Sequence, residues 1–169
     1  MTILTPNQSL KKAFLKVKHT VAEIEHFKQK LHNYFDSLDT KQHEENNKAV
    51  LRDFLLATHF SGYDINAVGR IDLTLKEKNS TNFQVLFEVK RLSNKAEMIT
   101  DTSVNRKAMQ ELSYYYLQEF PTNNNTSLKH LIITNCHDVY IFDALVFYTH
   151  FGKNPTLKKE FLDFEAKSA

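Results

Sequence analysis

Glycine and proline are scarce, three of each in 169 residues. That excludes collagen-like, linker-like and low-complexity disordered chains. A single cysteine, Cys136, leaves no intramolecular disulfide framework and fits a reducing compartment, so the cytoplasm is the expected location. No apolar run approaches the ~18 residues that a membrane span needs. The N-terminal stretch MTILTPNQSLKKAF also lacks the apolar core and small-residue cleavage site of a signal peptide, and no membrane partner is expected. A strong charge imbalance is missing as well: 22 Lys and Arg against 20 Asp and Glu give a net charge of +2. A chain held on DNA by electrostatics alone is usually more basic. Nucleic acid would therefore be held weakly, with another domain or subunit supplying most of the affinity.

The length suits one domain, 1–169, with a proper core. Apolar residues recur at helical spacing in three regions. Residues 7–18 give a short helix through Leu10, Phe14, Leu15 and Val17. Thr20 with Glu23 forms a capping-box pattern that opens a long helix, Val21 to Leu38. The polar run Asp36 to Glu45 includes a turn and the start of a further helix, lined by Asn47, Leu51, Phe54, Leu55 and Thr58. Glu44 projects near its Leu51/Leu55 direction and Glu45 points aside. Both acids also suit a first helical turn, where they favour the macrodipole, so a functional and a purely structural reading stay open. Residues 62–68 read as a loop and 92–105 as irregular. A helix spans Arg106 to Phe120, two short strands follow at His130 to Thr134 and Val139 to Phe142, and a last helix covers Leu157 to Phe164. The long crossover before His130 permits parallel pairing there.

The chemistry concentrates in GRIDLTLKEKNSTNFQVLFEVKR, residues 69–91, which reads as two strands and a polar turn. Strand parity places Arg70, Asp72, Thr74 and Lys76 on one face and Ile71, Leu73 and Leu75 on the other. Gln84, Leu86, Glu88 and Lys90 alternate with Val85, Phe87 and Val89 in the same way. A turn centred near Ser80 would set Asp72 across from Glu88, with Cβ atoms ~5 Å apart, and a shift of two residues would set it opposite Lys90; either register gathers the two carboxylates and the ammonium. Two carboxylates can hold Mg²⁺, and a lysine can neutralise charge developing on a phosphate. The same residues also read as a cross-strand ion network on an ordinary amphipathic hairpin. Eight histidines are scattered without a pair at metal-ligand spacing, and Cys136 reads as a buried thiol at a strand end.

The hairpin resembles the core of the PD-(D/E)XK nuclease superfamily, with Asp72 as first acid and Glu88-Val89-Lys90 as the E-x-K. Ile71 stands where the naming proline would be. Gln110-Glu111-Leu112-Ser113-Tyr114 matches the Q-x-x-x-Y motif of RecB-like members. The blocks KAFLKVK, EIEHFKQ, GRIDL, SNKAEMI, KAMQELSYYYLQE, KHLIITN and IFDA extend the likeness to the N-terminal endonuclease domain of type IIG restriction-modification enzymes, over about Leu10 to Glu165.

The resemblance implies an α/β fold, a restriction-endonuclease-like three-layer sandwich with a central mixed four-stranded sheet, in the order α-α-β-β-α-β-β-α. It implies Mg²⁺-dependent cleavage of double-stranded DNA, with Mn²⁺ as a substitute, by Asp72, Glu88 and Lys90. Asp72, Glu88 and Val89 would be the metal-holding residues, Glu44 or Glu45 an assisting acid, and Gln110 a neighbour of the site. Dimerisation would serve double-strand cleavage. In such enzymes S-adenosylmethionine belongs to a methyltransferase domain, whose motifs this sequence lacks, so the chain reads as the nuclease segment of a longer protein or as a truncated relative. The alternative is a catalytically inactive DNA- or protein-binding module on the same fold.

Overall fold

The computed structural model describes residues 3–41 and 43–168. The polar run at 36–45 includes Gln42, which lies outside that set. The fold is α/β: a mixed sheet flanked on both faces by helices. In chain order the elements are α1 (Pro6–Ser9), a 3₁₀ turn (Phe14–Lys16), α2 (Val21–Ser37), α3 (Glu44–Ala57), β1 (Tyr63–Val68), β2 (Ile71–Glu77), β3 (Val85–Val89), α4 (Lys107–Leu117), β4 (His130–Thr134), β5 (Val139–Asp143), α5 (Ala144–Phe147) and α6 (Pro155–Ser168). Single π turns extend α4 over Gln118–Thr122 and α5 over Tyr148–Gly152.

The sheet has five strands in sequence order, not the four expected. The addition is β1, in the stretch read as a loop. Its sequence, YDINAV, carries a single fully buried side chain, Ile65. An edge strand that needs so little apolar surface leaves no alternating signal. It joins β2 through the two-residue loop Gly69-Arg70, where Gly69 takes φ +58°, a conformation glycine adopts without strain. β2 and β3 pair antiparallel with Leu73 opposite Phe87, so the register continues to Asp72 opposite Glu88. β3 and β4 pair in parallel across α4, as the crossover permitted, and β5 returns antiparallel on β4.

Both faces of the sheet are covered, which corrects the picture of a hairpin with one apolar and one polar face. Leu73, Leu75, Phe87 and Val89 pack with Ile65, Leu51 and Tyr34 under α2 and α3. Leu86, Leu131 and Ile133 pack with Ile71, Leu112 and Tyr116 under α4. Helices on both sides demand apolar residues at successive positions, so simple alternation fails along β2 and β3.

The predicted helix at 7–18 is broken into α1 and the 3₁₀ turn, and neither buries a residue. Isolated helices of that length are marginal without a packing face. α2 keeps its capping box: Thr20 Oγ1 accepts from Glu23 N–H, and Glu23 Oε2 accepts from Thr20 N–H at 2.7 Å. Its C-terminal half is fastened to the body by Tyr34, whose hydroxyl donates to the buried carbonyl of Cys136 at 2.7 Å. Its N-terminal half leaves Val21 and Ile24 exposed. Replacing Tyr34 by Phe should cost about 1–3 kcal/mol, since it strands a buried carbonyl. Ile24→Ala should stay within about 0.5 kcal/mol. Urea unfolding of the two variants checks the contrast; equal losses would contradict it.

Candidate functional site

At the end of β2 and β3 nearest α3 and α4, two buried lysines each meet three carboxylates. Lys48, on the inner stripe of α3, lies 2.6 Å from Asp72 Oδ1, 2.8 Å from Glu45 Oε1 and 3.0 Å from Glu44 Oε1. Lys90, one residue beyond β3, lies 2.6 Å from Glu88 Oε1 and 3.8 Å from Glu97 Oε2, and donates to Glu111 Oε2. An ammonium has three donors, which is why a lysine can serve three acids at once.

Local structure fixes each side chain. Glu44 and Glu45 open α3, so Lys48 stands three and four residues on, where helical neighbours face each other. The second oxygen of Glu44 accepts from Arg91 N–H at 3.0 Å, tying α3 to the residue after Lys90. Asp72 Oδ2 accepts from Val89 N–H at 2.7 Å, which aims the carboxylate across the two strands. Glu111 reaches Lys90 from α4 and Glu97 reaches it from the preceding segment; Lys107 bridges these acids on the outer side, 3.2 Å from Glu97.

Glu88 is the unusual member. It is 2 % exposed, its Oε1 is bonded to Lys90, and its Oε2 has no hydrogen-bond partner among the described residues. A buried carboxylate oxygen without a partner is costly. Burial, then the neighbouring Asp72 charge, push the Glu88 carboxyl up to about 8, and the Lys90 ammonium only partly offsets them. Asp72 is raised by burial too, opposed by Lys48 and the Val89 N–H. Burial acts to lower both lysines, but their carboxylate partners outweigh it and hold them above the ordinary lysine value. Lys90 is therefore a fixed cation at neutral pH.

The structure brings together Asp72, Glu88, Lys90, Glu44 and Glu45 in this cluster. Gln110 is not in it. Its side chain is exposed and donates to Asn105 Oδ1 at 3.0 Å, while the next residue, Glu111, turns inward. Three members escaped the sequence reading. Lys48 sits one turn from Glu44 on the same apolar stripe, and Glu111 lies beside the buried Ala108/Leu112/Tyr115 row, so helical spacing held a signal for both. Glu97 lies in irregular chain and offers none. Cys136 is buried as expected, and burial pushes its thiol up to about 11, which removes it as a nucleophile.

In donor type the cluster suits a hard cation such as Mg²⁺, which keeps its waters and needs only one or two carboxylates. Glu88 Oε2 is the free oxygen and Asp72 stands opposite on the adjoining strand. Among the described residues no three His, Cys, Asp or Glu side chains are grouped to hold a metal, so an ion here would rest on that pair and on water. No described helix is long and apolar enough to cross a membrane.

Fold and site together define an α/β domain built around a buried acid–lysine network at one end of a mixed sheet. The chain belongs to the family described as Domain of unknown function (DUF7149), whose model matches residues 4–169. No curated protein and no solved structure matches it.

The raised Glu88 carboxyl fixes a pH dependence. Its ordinary value is 4.5 and its folded value about 8, so between these the folded state binds more protons than the unfolded chain. Stability from this group is complete below the lower value and is lost as pH rises through the upper one. The thermal midpoint of the wild type should fall relative to Glu88→Gln as pH is raised across that window. A difference between the two proteins that stays constant with pH would contradict the assignment.

Proposed function

We propose that this domain is a Mg²⁺-dependent endonuclease that hydrolyses DNA phosphodiester bonds at Asp72, Glu88 and Lys90. The observation that carries the reading is the partnerless buried oxygen of Glu88, with Asp72 opposite and the Lys90 ammonium on its other oxygen. A structural ion network satisfies its acceptors, whereas this one leaves a carboxylate oxygen free inside the protein. The parallel β3/β4 pair and the helices on both faces support the three-layer, restriction-endonuclease-like arrangement that the sequence resemblance implies.

Each residue has a role that follows from its contacts. Asp72 and Glu88 would hold the ion, Asp72 aimed by the Val89 N–H. Bound there, Mg²⁺ supplies charge neutralisation at the phosphate and a water of lowered pKa. Lys90 is held cationic against burial by Glu111 and Glu88, so it stabilises charge on the pentavalent phosphate and does not act as a base. Glu44 assists by fixing Lys48 and the Arg91 backbone, and so the wall behind Asp72.

The site is rich in acids and the whole chain is only +2, so the DNA target is chosen by another domain or subunit. That division of labour, with the resemblance, favours the nuclease segment of a type IIG-like restriction-modification enzyme working in the cytoplasm. A second reading, the inactive binding module, draws on one observation: Lys48 and Lys90 already neutralise an oxygen of each acid.

Nicking of plasmid DNA in Mg²⁺ should disappear with EDTA and fall at least about 100-fold in Asp72→Ala and in Lys90→Ala. Calorimetry should show Mn²⁺ binding to the wild type and none to Glu88→Gln. Cleavage that survives Asp72→Ala would sink the site assignment, and absence of metal binding to the wild type would leave the binding module.

A further inference from the structure

The sheet has two edges, and they are guarded very differently. β1 carries Asp64 and Asn66, its register is broken by a bulge between Asn66 and Val68, and Asp64 lies 3.9 Å from Lys76. Charge and bulges are the usual means of keeping an edge from pairing with another chain. β5 has neither. Its register on β4 is unbroken over all five residues, VYIFD, which contain no proline and no lysine. The one charged side chain, Asp143, is exposed at the strand's end and engaged as the cap of α5, its carboxylate accepting from Leu145 N–H at 2.9 Å and Val146 N–H at 3.0 Å.

The hydrogen-bond phase of β5 shows which backbone groups look outward. Ala144 N–H donates to the Lys129 carbonyl at 3.0 Å, and Asn135 N–H to the Asp138 carbonyl at 3.3 Å. These bonds bracket the ladder, so the groups of Tyr140 and Phe142 are spent on β4 while those of Val139 and Ile141 point away from it. Among the described residues no strand pairs with that side. The same stretch is apolar on its surface: Val139 is 56 % exposed, Ile141 64 %, Leu145 71 % and Val146 57 %.

We propose that β5 is the interface of a homodimer, two copies pairing antiparallel about a two-fold axis through Ile141. The occupant is a second copy because the strand complements itself. The axis sets Ile141 against its own equivalent, where each donates to the other's carbonyl, and sets Val139 against the second copy's Asp143. No like charges meet, since the Asp143 carboxylate is held by its own helix. The exposed Leu145 and Val146 lie in α5, which opens at Ala144 just after Asp143, and so stand near the second copy's Val139. A two-fold contact of this kind closes and leaves no further edge of its type exposed. The interface requires neither metal nor DNA and stands whether or not the nuclease reading does.

Light scattering behind size exclusion on the full chain tests it without metal or DNA. The wild type should run at twice the 19.7 kDa chain mass, Ile141→Lys at half the wild-type value, and Ile24→Glu on the other exposed apolar surface at the wild-type value. Both side chains are exposed, and circular dichroism checks that the variants fold. Amide exchange on the wild type gives an independent readout, with Val139 and Ile141 slowed in the dimer and freed on dilution. A wild type that is monomeric at every concentration overturns the proposal. So does a dimer that persists in Ile141→Lys, or β5 amides that exchange freely within the dimer.

Discussion

A buried ammonium cannot stand alone. Moving an unpaired charge from water into the interior costs several kcal/mol even after relaxation, so Lys48 and Lys90 dictate what surrounds them. Each draws acids from different elements: Lys48 joins the first turn of α3 to β2, and Lys90 joins β3 to α4 and to Glu97. The layers of the sandwich are thereby fastened at the end of the sheet where the apolar clusters stop. Asp72 and Glu88 meet there because the β2/β3 register puts them opposite each other, and burial, then their proximity, raises the Glu88 carboxyl. Two carboxylates brought together in low dielectric favour either a proton or a cation between them. The lysines neutralise one oxygen of each acid, and the remaining oxygen of Glu88 is what makes the arrangement more than a scaffold.

The parts of this structure visible in the sequence are those set by local chemistry. The Thr20/Glu23 cap, the β2/β3 hairpin with its turn near Ser80, and α4 as a crossover all follow from spacing. β1 was hidden because an edge strand with one buried residue carries almost no pattern. The apolar spacing at 7–18 misled because periodicity records a face and not whether anything packs on it. At the site, Asp72, Glu88 and Lys90 were legible by strand parity, whereas Gln110 was drawn in by a motif whose neighbour, Glu111, makes the contact. Parity was also incomplete. With helices on both sides, Ile71 packs with Leu86 and Leu73 with Phe87, so polar and apolar faces do not separate.

Affinity and symmetry lie outside the cluster. A domain with net charge +2 and six acids around two buried lysines repels a polyanion at that end of the sheet. Chemistry on DNA from such a site needs a partner that holds the duplex, which agrees with a nuclease that takes its specificity from elsewhere. A β5-paired dimer would present two such sites about one axis.

The account rests on Asp72 and Glu88 sharing a cation. Diffraction from a crystal soaked in Mn²⁺, collected at the metal's absorption edge, reads this directly. The account predicts one anomalous peak bounded by Glu88 Oε2 and the Asp72 carboxylate, with the Lys90 ammonium still on Glu88 Oε1. No peak between those residues at saturating Mn²⁺ would contradict it.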